Sequence, residues 1–595
     1  MDVHSYARPA EARVTSVALD LLADFDRTRL AGTATLSIDR APDARSIVLD
    51  TRDLTIHRVT DAAGHPLAHT LGAINALIGS PLEIDLPAGT GTIVVHYETS
   101  PGASALQWLT PEQTAGRGHP FLYSQGQAIL TRSWIPTQDS PGIRQTYAAR
   151  IVVPGALRAV MSAEALTPAG IEVPKGRAFE FRLNHAVPPY LFALAVGDLA
   201  FRELGPRSGV YAEPATIDAA AFEFADVERM MTAAESLLGA YRWGRYDLLV
   251  LPPSFPFGGM ENPLLTFATP TVLAGDRSLV SLVAHELAHS WSGNLVTNAT
   301  WSDFWLNEGV TTYVEHRIME ALYGTEHADM LAVLARRELL EEIDRLGGPQ
   351  SRDTVLHVDL RGRDPDDGAT RIPYDKGAAL MTLLEHTVGR QRFDAFLKAY
   401  FDRFAFTSIE TATFLDFLRT ALLSDPAVPQ ATSAQLRLHE WVFEPGLPGN
   451  AVEPRSTRLD RVTAAARACI ESGTPAQDTA TWTTQEWLHF LNMLPERLSA
   501  PQLASLDETF AFTSRGNSEV LFAWLRIAIR HHYLAALPAL ERFLSRQGRR
   551  KFLRPLYEDL MATDWGRADA VRIYGQARPG YHAVVTGTLD PIVRA

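Results

Sequence analysis

Cysteine is almost absent from the 595-residue chain. Cys469 is the only one, which excludes an internal disulfide and any metal site built from several cysteines. Long apolar runs are missing as well. The most apolar stretches, such as residues 190–199, fall well short of the roughly 20 residues that span a bilayer. The first residues lack the apolar core of a secretory signal, so we expect a cytoplasmic protein with no membrane partner.

Positive charge is in deficit. Lysine and arginine total 55 against 69 acidic residues, which gives a net charge of −14. Because an acidic chain repels phosphate backbones, we expect no nucleic-acid partner. Apolar residues make up 46% and charged residues 21%, which is ordinary globular usage. The length exceeds what one hydrophobic core organises and predicts two to four domains.

The pattern of the chain changes twice. Up to about residue 200, short alternating runs rich in Val, Ile and Thr predict strands, for example over 33–40, 46–51 and 92–99. Apolar residues then recur at helical spacing. The segment 444–454 holds three prolines and two glycines in eleven residues, which is typical of a linker. Amphipathic helices follow it.

These changes predict a multidomain α+β protein. We expect an N-terminal antiparallel β domain over 1–203, a mostly helical domain over 204–443, a linker over 444–455 and a C-terminal α-helical domain over 456–595. No fixed-period repeat is evident, so a superhelical arrangement of the last domain stays open.

An H-E-x-x-H motif lies in the middle domain. His285, Glu286 and His289 fall in a helical pattern that Gly293 is expected to end. Histidines four apart project from one helix face, so both imidazoles can reach one metal ion. Glu286 can then face a metal-bound water. The alternative is an amphipathic helix with incidental histidines, but chance predicts roughly 0.03 such motifs in a chain of this length.

A third ligand candidate follows nineteen residues after His289. Glu308 lies in the next predicted helix, which we expect Ser302 to cap. Two histidines and one carboxylate leave a fourth position for water, as in catalytic zinc sites. Imidazole ligands favour zinc over magnesium or calcium. The spacing therefore predicts one catalytic zinc ion per chain.

A second motif, GGMEN over 258–262, lies upstream. Together with H-E-x-x-H and Glu308 it resembles the signature of the M1 family of zinc aminopeptidases (gluzincins). The resemblance is strongest to the leukotriene A4 hydrolase/aminopeptidase branch and its bacterial relatives. It runs through LYSQGQAIL, QDSPG, PSFPFGGMENP, LVTNATW, FWLNEG, RIPYDKG and GRRKFLRPL, across all three proposed domains. It implies a saddle-like β domain, a thermolysin-like catalytic domain and the removal of N-terminal residues from short peptides.

The resemblance also implies a role for each matching residue. Glu286 would be the general base and Tyr374 the hydroxyl donor to the oxyanion. The remaining matches would bind substrate: Gln127 and Glu261 at the amino end, Gly258, Gly259 and Met260 along the backbone, Asp366 near basic side chains, and Arg549 and Lys551 at the terminal carboxylate. The residues alone leave an alternative open for each of these matches. GGMEN can be an ordinary glycine turn and Gln127 a surface amide. Tyr374 can be a structural tyrosine, and the basic cluster of Arg549 and Lys551 can be a solvated helix face. Glu315 reads as a support for the ligand helix.

Two departures concern a second activity. Members that form leukotrienes carry tyrosines where this chain has Phe257 and Ala369. Asp366 matches an aspartate that those members use in epoxide chemistry. Peptidase chemistry needs neither missing hydroxyl, so we predict an aminopeptidase, with a bifunctional aminopeptidase and epoxide hydrolase as the alternative. An endopeptidase and a catalytically silent scaffold are more distant rivals. We expect a monomer.

Overall fold

The chain forms a β-rich part, a mixed part and an all-helical part, in that order. The computed structural model describes residues 2–429, 432–472 and 479–594. In this described portion, no helix is both long and apolar enough to cross a membrane.

The β-rich part consists of short and medium strands that bury alternate residues. Strand β7 (Thr92–Glu98), for example, alternates strictly between buried and half-buried positions. The other strands of this part are β1 (Ala12–Asp24), β2 (Arg29–Arg40), β3 (Ser46–Thr51), β4 (Thr55–Asp61), β5 (His69–Leu71), β6 (Ser80–Asp85), β8 (Leu106–Leu109), β9 (Phe121–Ser124), β10 (Gln145–Val153), β11 (Arg158–Met161), β12 (Glu164–Ala165), β13 (Ile171–Val173), β14 (Gly176–Val187) and β15 (Leu194–Gly197).

These strands build three sheets. The largest has the order β12-β14-β10-β1-β2-β7-β4, with β13 paired to β14, and the others are β11-β15-β9-β8 and β3-β6-β5. Within these three sheets, the described strands pair antiparallel except for β1 with β10, which are parallel. The prediction of an antiparallel β domain is confirmed, with one parallel pair inside it.

The mixed part carries a small sheet against a set of helices. Its strands are β16 (Ala200–Gly205), β17 (Ser208–Ala212), β18 (Tyr246–Val250), β19 (Gly259–Met260) and β20 (Leu265–Ala268), in the order β16-β17-β18-β20-β19; β21 (Val296–Asn298) pairs with β22 (Thr407–Ile409). Its helices are α1 (Ile217–Glu223), α2 (Val227–Leu238), α3 (Ser281–Ala288), α4 (Trp305–Tyr323), α5 (Thr325–Arg345), α6 (Gly377–Val388), α7 (Arg390–Arg403), α8 (Thr411–Leu418), α9 (Thr432–Leu436) and α10 (Leu438–Phe443). The proposed boundary at 203 falls within β16.

The last part is helical. It consists of α11 (Thr457–Ser472), α12 (Thr484–Asn492), α13 (Ala500–Phe510), α14 (Ser518–Arg530), α15 (Leu537–Arg546), α16 (Arg550–Met561), α17 (Arg567–Ala577) and α18 (Ala583–Val593). Helices α12, α14, α16 and α18 pack successively against one another, while α15 packs on α17. The three-part α+β architecture is therefore confirmed. The exact domain boundaries and a superhelical course of the last part stay predictions.

Two local predictions are wrong. Helix α3 ends at Ala288, five residues before Gly293, and His289 is its C-cap residue with helical φ and ψ. The turn that follows is stabilised because Nδ1 of His289 meets the carbonyl of Ser292. Ser302 does not cap the next helix, since α4 begins after Phe304 and a short 3₁₀ turn over Trp301–Asp303 precedes it. Thr300 and Asp303 hold that turn together with a hydrogen bond of 2.7 Å.

Candidate active site

Helices α3 and α4 bring the three predicted metal ligands together. Nε2 of His285 lies 3.2 Å from Nε2 of His289, and the two nitrogens lie 3.3 and 3.4 Å from Oε2 of Glu308. A tetrahedral zinc ion with bonds of about 2.0–2.1 Å separates its ligand atoms by about 3.3–3.4 Å. Oε2 of Glu308 is buried and accepts no hydrogen bond in the described structure. The donor triangle therefore fits zinc in both size and chemistry.

The far side of each imidazole is held by a second group. Nδ1 of His285 lies 3.1 Å from Oε2 of Glu315. Nδ1 of His289 lies 2.8 Å from the carbonyl oxygen of Ser292 and 3.2 Å from Oγ1 of Thr311. Such partners fix the tautomer that leaves Nε2 free for the metal. The sequence predicted Glu315 to support the ligand helix, and the structure places its carboxylate in contact with His285. Sequence reasoning missed Thr311, which a helix places one turn beyond Glu308.

Glu286 faces the same space from α3. Burial raises the pKa of its carboxyl to about 8, and the negative charges of Glu261 and Glu308 add to that while the two imidazoles oppose it. A β-carbon on Gly259 would lie 2.2 Å from Oε1 of Glu286. The second glycine of GGMEN is therefore required by a close approach of the carboxylate to β19.

Glu261 carries a buried carboxylate that is only partly hydrogen-bonded in the described structure. One of its oxygens, together with ligand atoms of Glu286 and His289, belongs to a group in which all atoms lie within 4.8 Å of one another. Oε1 of Glu261 is buried and has no hydrogen-bond partner in the described structure. The backbone beside it is fixed, because Asn294 donates 2.7 Å to the Glu261 carbonyl. A buried, unpaired carboxylate oxygen is a site for a cation.

Tyr374 reaches the site from a five-residue π-helix, Ile372–Lys376. Its ring stacks on His285 at 5.9 Å and meets Phe304 edge-on at 6.0 Å. Burial and the charges of Glu308 and Glu261 raise the pKa of its hydroxyl well above the usual value. The hydroxyl therefore stays protonated and is able to donate.

Arg549 enters from the helical part through a backbone interaction. The N–H of Gly548 donates 2.7 Å to Pro253 and the N–H of Arg550 donates 2.9 Å to Pro256. A β-carbon on Gly548 would lie 2.5 Å from the backbone of Ser254, so only glycine allows this approach. The guanidinium of Arg549 then lies against GGMEN, where a β-carbon on Gly258 would come within 2.8 Å of Nη2.

Glu519 joins the two predicted carboxylate-binding cations. Its carboxylate accepts from Nη1 of Arg549 at 3.0 Å and from Nζ of Lys551 at 3.0 and 2.9 Å. Nε of Arg549 is buried without a partner in the described structure. Glu519 lies thirty residues before Arg549, and no local signal in the sequence pointed to it.

The remaining predicted residues lie on the β-domain side. Nε2 of Gln125 lies 3.1 Å from the sulfur of Met260, which brings the loop that carries Gln127 to β19. The backbone of Ala128, next to Gln127, hydrogen-bonds to Asp366. Burial and the charges of Asp364 and Asp367 raise the pKa of Asp366 to about 7, and Arg550 opposes them. Among the described residues, no hydrogen bond or ion pair joins Gln127 or Asp366 directly to the predicted metal ligands.

Three family models match consecutive parts of this chain. They are the peptidase M1 N-terminal domain over 13–191, the peptidase family M1 domain over 222–432 and the leukotriene A4 hydrolase C-terminal domain over 482–593. Leukotriene A-4 hydrolase of Xenopus laevis is 38% identical over 98% of this chain and 97% of its own length. The chain belongs to peptidase family M1.

Other relatives and solved structures are similar to this M1 peptidase over most of its length. Leucine aminopeptidase 2 of Yarrowia lipolytica is 37% identical over 92% of this chain and 87% of its own length. Yeast leukotriene A4 hydrolase in complex with bestatin superimposes with a TM-score of 0.91 at 30% identity, covering 100% of this chain and 97% of that chain. A Deinococcus radiodurans M1 zinc metallopeptidase bound to Tyr-Ser-Ala shares the fold over 76% of this chain and 100% of its own, at 22% identity and a TM-score of 0.60.

The predictions of family, fold and enzyme class are thereby confirmed. The M1 peptidase is a metallo-aminopeptidase, and its family membership together with the donor triangle implies a zinc cofactor. The roles of its individual site residues stay predictions.

Proposed function

We propose that this M1 peptidase removes N-terminal residues from short peptides that carry a free α-amine, with one zinc ion held by His285, His289 and Glu308. The observation that carries the proposal is the partnerless buried oxygen of Glu261 beside the ligand triangle. An ammonium group satisfies that oxygen, whereas the amide of a peptide interior would bring no charge to it.

The chain's own residues divide the reaction between them. Zinc, when bound, lowers the pKa of water at the site and polarises the scissile carbonyl. Glu286 takes the proton of the attacking water and delivers it to the leaving amine. Tyr374 donates a hydrogen bond from its hydroxyl to the oxyanion that develops on the carbonyl oxygen. Glu261 holds the α-ammonium, so that the first peptide bond lies at the reacting position.

The other end of the substrate meets Arg549 and Lys551. Glu519 compensates part of their charge, but the unpartnered Nε of Arg549 leaves the guanidinium able to bind a carboxylate. The distance between this pair and the zinc site is fixed, and the guanidinium makes two contacts with the terminal carboxylate only when the peptide spans that distance. Peptides of about three residues are therefore favoured.

Epoxide hydrolysis is a second candidate, because Asp366 hydrogen-bonds to the Ala128 backbone, next to Gln127, and interacts electrostatically with Arg550. Phe257 and Ala369 bring no hydroxyl to it. Conversion of an allylic fatty-acid epoxide to a diol that is lost in Asp366→Asn would establish this activity. Absence of diol at an enzyme concentration that hydrolyses a peptide substrate completely would exclude epoxide hydrolase activity.

We further propose that the protein is a cytoplasmic monomer. Light scattering of the purified protein should give the mass of one chain, 65.4 kDa. Cell fractionation tests the compartment, and recovery in a membrane or secreted fraction would overturn it.

A panel of aminoacyl fluorogenic substrates with one N-acetylated control tests the proposed function. Free-amine substrates should be hydrolysed and the acetylated one should not. Glu261→Ala should lower kcat/KM roughly thirtyfold to several thousandfold, because the loss of a desolvated charge pair raises the free energy of the transition state by about 2–5 kcal/mol. Zinc content should stay constant, and the exposed Glu496→Ala should behave as wild type. Efficient cleavage of the acetylated substrate would overturn the proposal.

A further inference from the structure

Lys376 is completely buried two residues after Tyr374, at the end of the π-helix Ile372–Lys376. Its ammonium donates to two backbone carbonyls, that of Thr354 at 2.9 Å and that of Glu444 at 3.0 Å. Within the described residues, no carboxylate lies at ion-pair distance from it. Burial lowers the pKa of Lys376 to about 7, and Glu440 and Glu444 oppose that shift only from a distance.

A buried ammonium without a counter-charge is an expensive way to hold a fold together. The chain also avoids lysine, since only four of its 55 lysine and arginine residues are lysines. An ammonium suits this position because its donors radiate from a single atom toward two carbonyls, whereas a guanidinium is larger and planar. Stability alone therefore gives a poor account of Lys376.

The two carbonyls belong to one rigid junction. Oγ1 of Thr354 accepts from the N–H of Gly446 at 2.8 Å and donates to Ser351 at 2.6 Å. The turn at Arg352–Thr354 and the chain that follows α10 are thereby tied together. Lys376 connects this junction to the π-helix.

The π-helix is held on its other sides as well. Arg371 donates to Asp375 at 2.8 Å and also pairs with Glu338 of α5. Gly377 contacts Gly309, the residue after the ligand Glu308, so closely that a β-carbon on either would lie 2.6 Å from the other's α-carbon. Lys376 thus adds two further contacts to the segment that presents Tyr374. Single π-turns occur frequently at functional sites.

We propose that Lys376 is a positioning residue for the reaction: its two carbonyl contacts hold the π-helix in the register that aims the Tyr374 hydroxyl at the developing oxyanion. This rests on the proposed role of Tyr374. The oxyanion exists only near the transition state, so displacement of the hydroxyl lowers kcat and leaves substrate binding nearly unchanged.

The test is a double-mutant cycle with zinc-loaded full-length enzyme. Lys376→Met keeps the length of the side chain and removes all donors, and the exposed Lys398→Met is its matched control. We expect Lys376→Met to lower kcat roughly tenfold to a hundredfold, a part of the effect of losing an oxyanion donor, with KM within about threefold of wild type. In a Tyr374→Phe background the same change should lower kcat less than about threefold, because the donor it positions is already gone.

Lys376→Gln, which can still donate to one carbonyl, is the second variant and should fall between wild type and Lys376→Met. A phosphinic dipeptide has a tetrahedral phosphorus centre whose charged oxygen mimics the oxyanion, so Lys376→Met should weaken its binding by the same factor as it lowers kcat. The affinity for a dipeptide product should not change. An equal loss of kcat in both backgrounds, an unchanged kcat, or a loss of zinc would each overturn the proposal. Wild-type activity of Tyr374→Phe alone would instead refute the role of the tyrosine in the proposed function.

Discussion

At the scale of single residues, the site depends on groups that are buried and only partly satisfied. Oε1 of Glu261, Oε2 of Glu308 and Nε of Arg549 all lack hydrogen-bond partners in the described structure. Such groups are costly unless a ligand meets them. In the proposed function, these three atoms meet the substrate ammonium, the metal ion and the substrate carboxylate.

The role of Glu286 as base, rather than ligand, has a direct test. Glu286→Gln should lower kcat by about 10²–10⁴-fold or more, since general-base catalysis is lost, and should retain one zinc per chain by elemental analysis. Glu315→Gln is the matched contrast. It removes the partner of His285 Nδ1 and should weaken zinc binding about 10–100-fold. Loss of zinc from Glu286→Gln would show that the carboxylate is a ligand.

The raised pKa of Asp366 predicts a pH-dependent preference. Below its pKa of about 7 the carboxyl is protonated and neutral, and above it the charge attracts a basic N-terminal side chain. The ratio of kcat/KM for arginyl over alanyl substrates should therefore rise by about fivefold from pH 6 to pH 8, the effect of roughly 1 kcal/mol. The ratio cancels groups common to both substrates. Asp366→Asn should flatten it, and a pH-independent ratio in wild type would contradict the prediction.

At the scale of elements, the site is set by how closely α4 and α6 approach. Gly309 and Gly377 form the crossing point, and each lies within three residues of a predicted functional group, Glu308 or Tyr374. Small residues on both helices allow backbone contact there. The distance between ligand and hydroxyl donor is therefore fixed by two helix backbones.

Gly309→Ala should disturb both stability and catalysis. Its β-carbon would lie 2.6 Å from the α-carbon of Gly377 and 3.0 Å from the carbonyl oxygen of Pro373, and neither can move cheaply. Overpacking of this kind costs about 1–3 kcal/mol, which thermal unfolding should show as a lower Tm. Gly575→Ala in α17 meets no atom within 4 Å and should leave Tm unchanged or raise it. Equal Tm values for the two variants would contradict the expected clash.

At the scale of the whole molecule, three parts of the chain contribute residues to the proposed site. The β-rich part brings the loop with Gln127, the mixed part brings the predicted zinc ligands, and the helical part brings Arg549 and Lys551. The backbone pairing of Gly548 and Arg550 with Pro253 and Pro256 locks the last contribution in place. In the proposed function, the length of the substrate is measured between two domains.

Arg549→Ala tests this arrangement with three substrates: a tripeptide, its C-terminal amide and a single-residue anilide. Loss of one charge-assisted contact costs about 1.5–3 kcal/mol of transition-state binding, so kcat/KM for the tripeptide acid should fall roughly tenfold to a hundredfold. The other two substrates have no carboxylate to lose, and the exposed Arg546→Ala should affect none of the three. Equal losses on all three would indicate a structural role for Arg549.

Some of this architecture was readable from the sequence because it is local. An i, i+4 pair of histidines shares a helix face whatever surrounds it, and strands such as β3 and β7 matched their predicted ranges because alternation follows from the pleat. Helix ends were read poorly. The turn after Ala288 and the start of α4 depend on hydrogen bonds made by His289 and Thr300, which residue type alone did not indicate.

The sequence by itself determined the enzyme class and the three-part order of the fold, and it predicted the ligand set, since motif spacing and hydrophobic period are properties of neighbouring residues. Only the tertiary structure decided that Glu519 joins Arg549 to Lys551, that Gly259 makes room for Glu286, and that Lys376 binds the carbonyls of Thr354 and Glu444. These contacts join residues 22 to 68 positions apart in the chain. Packing of the whole chain creates them, and no local pattern carries that information.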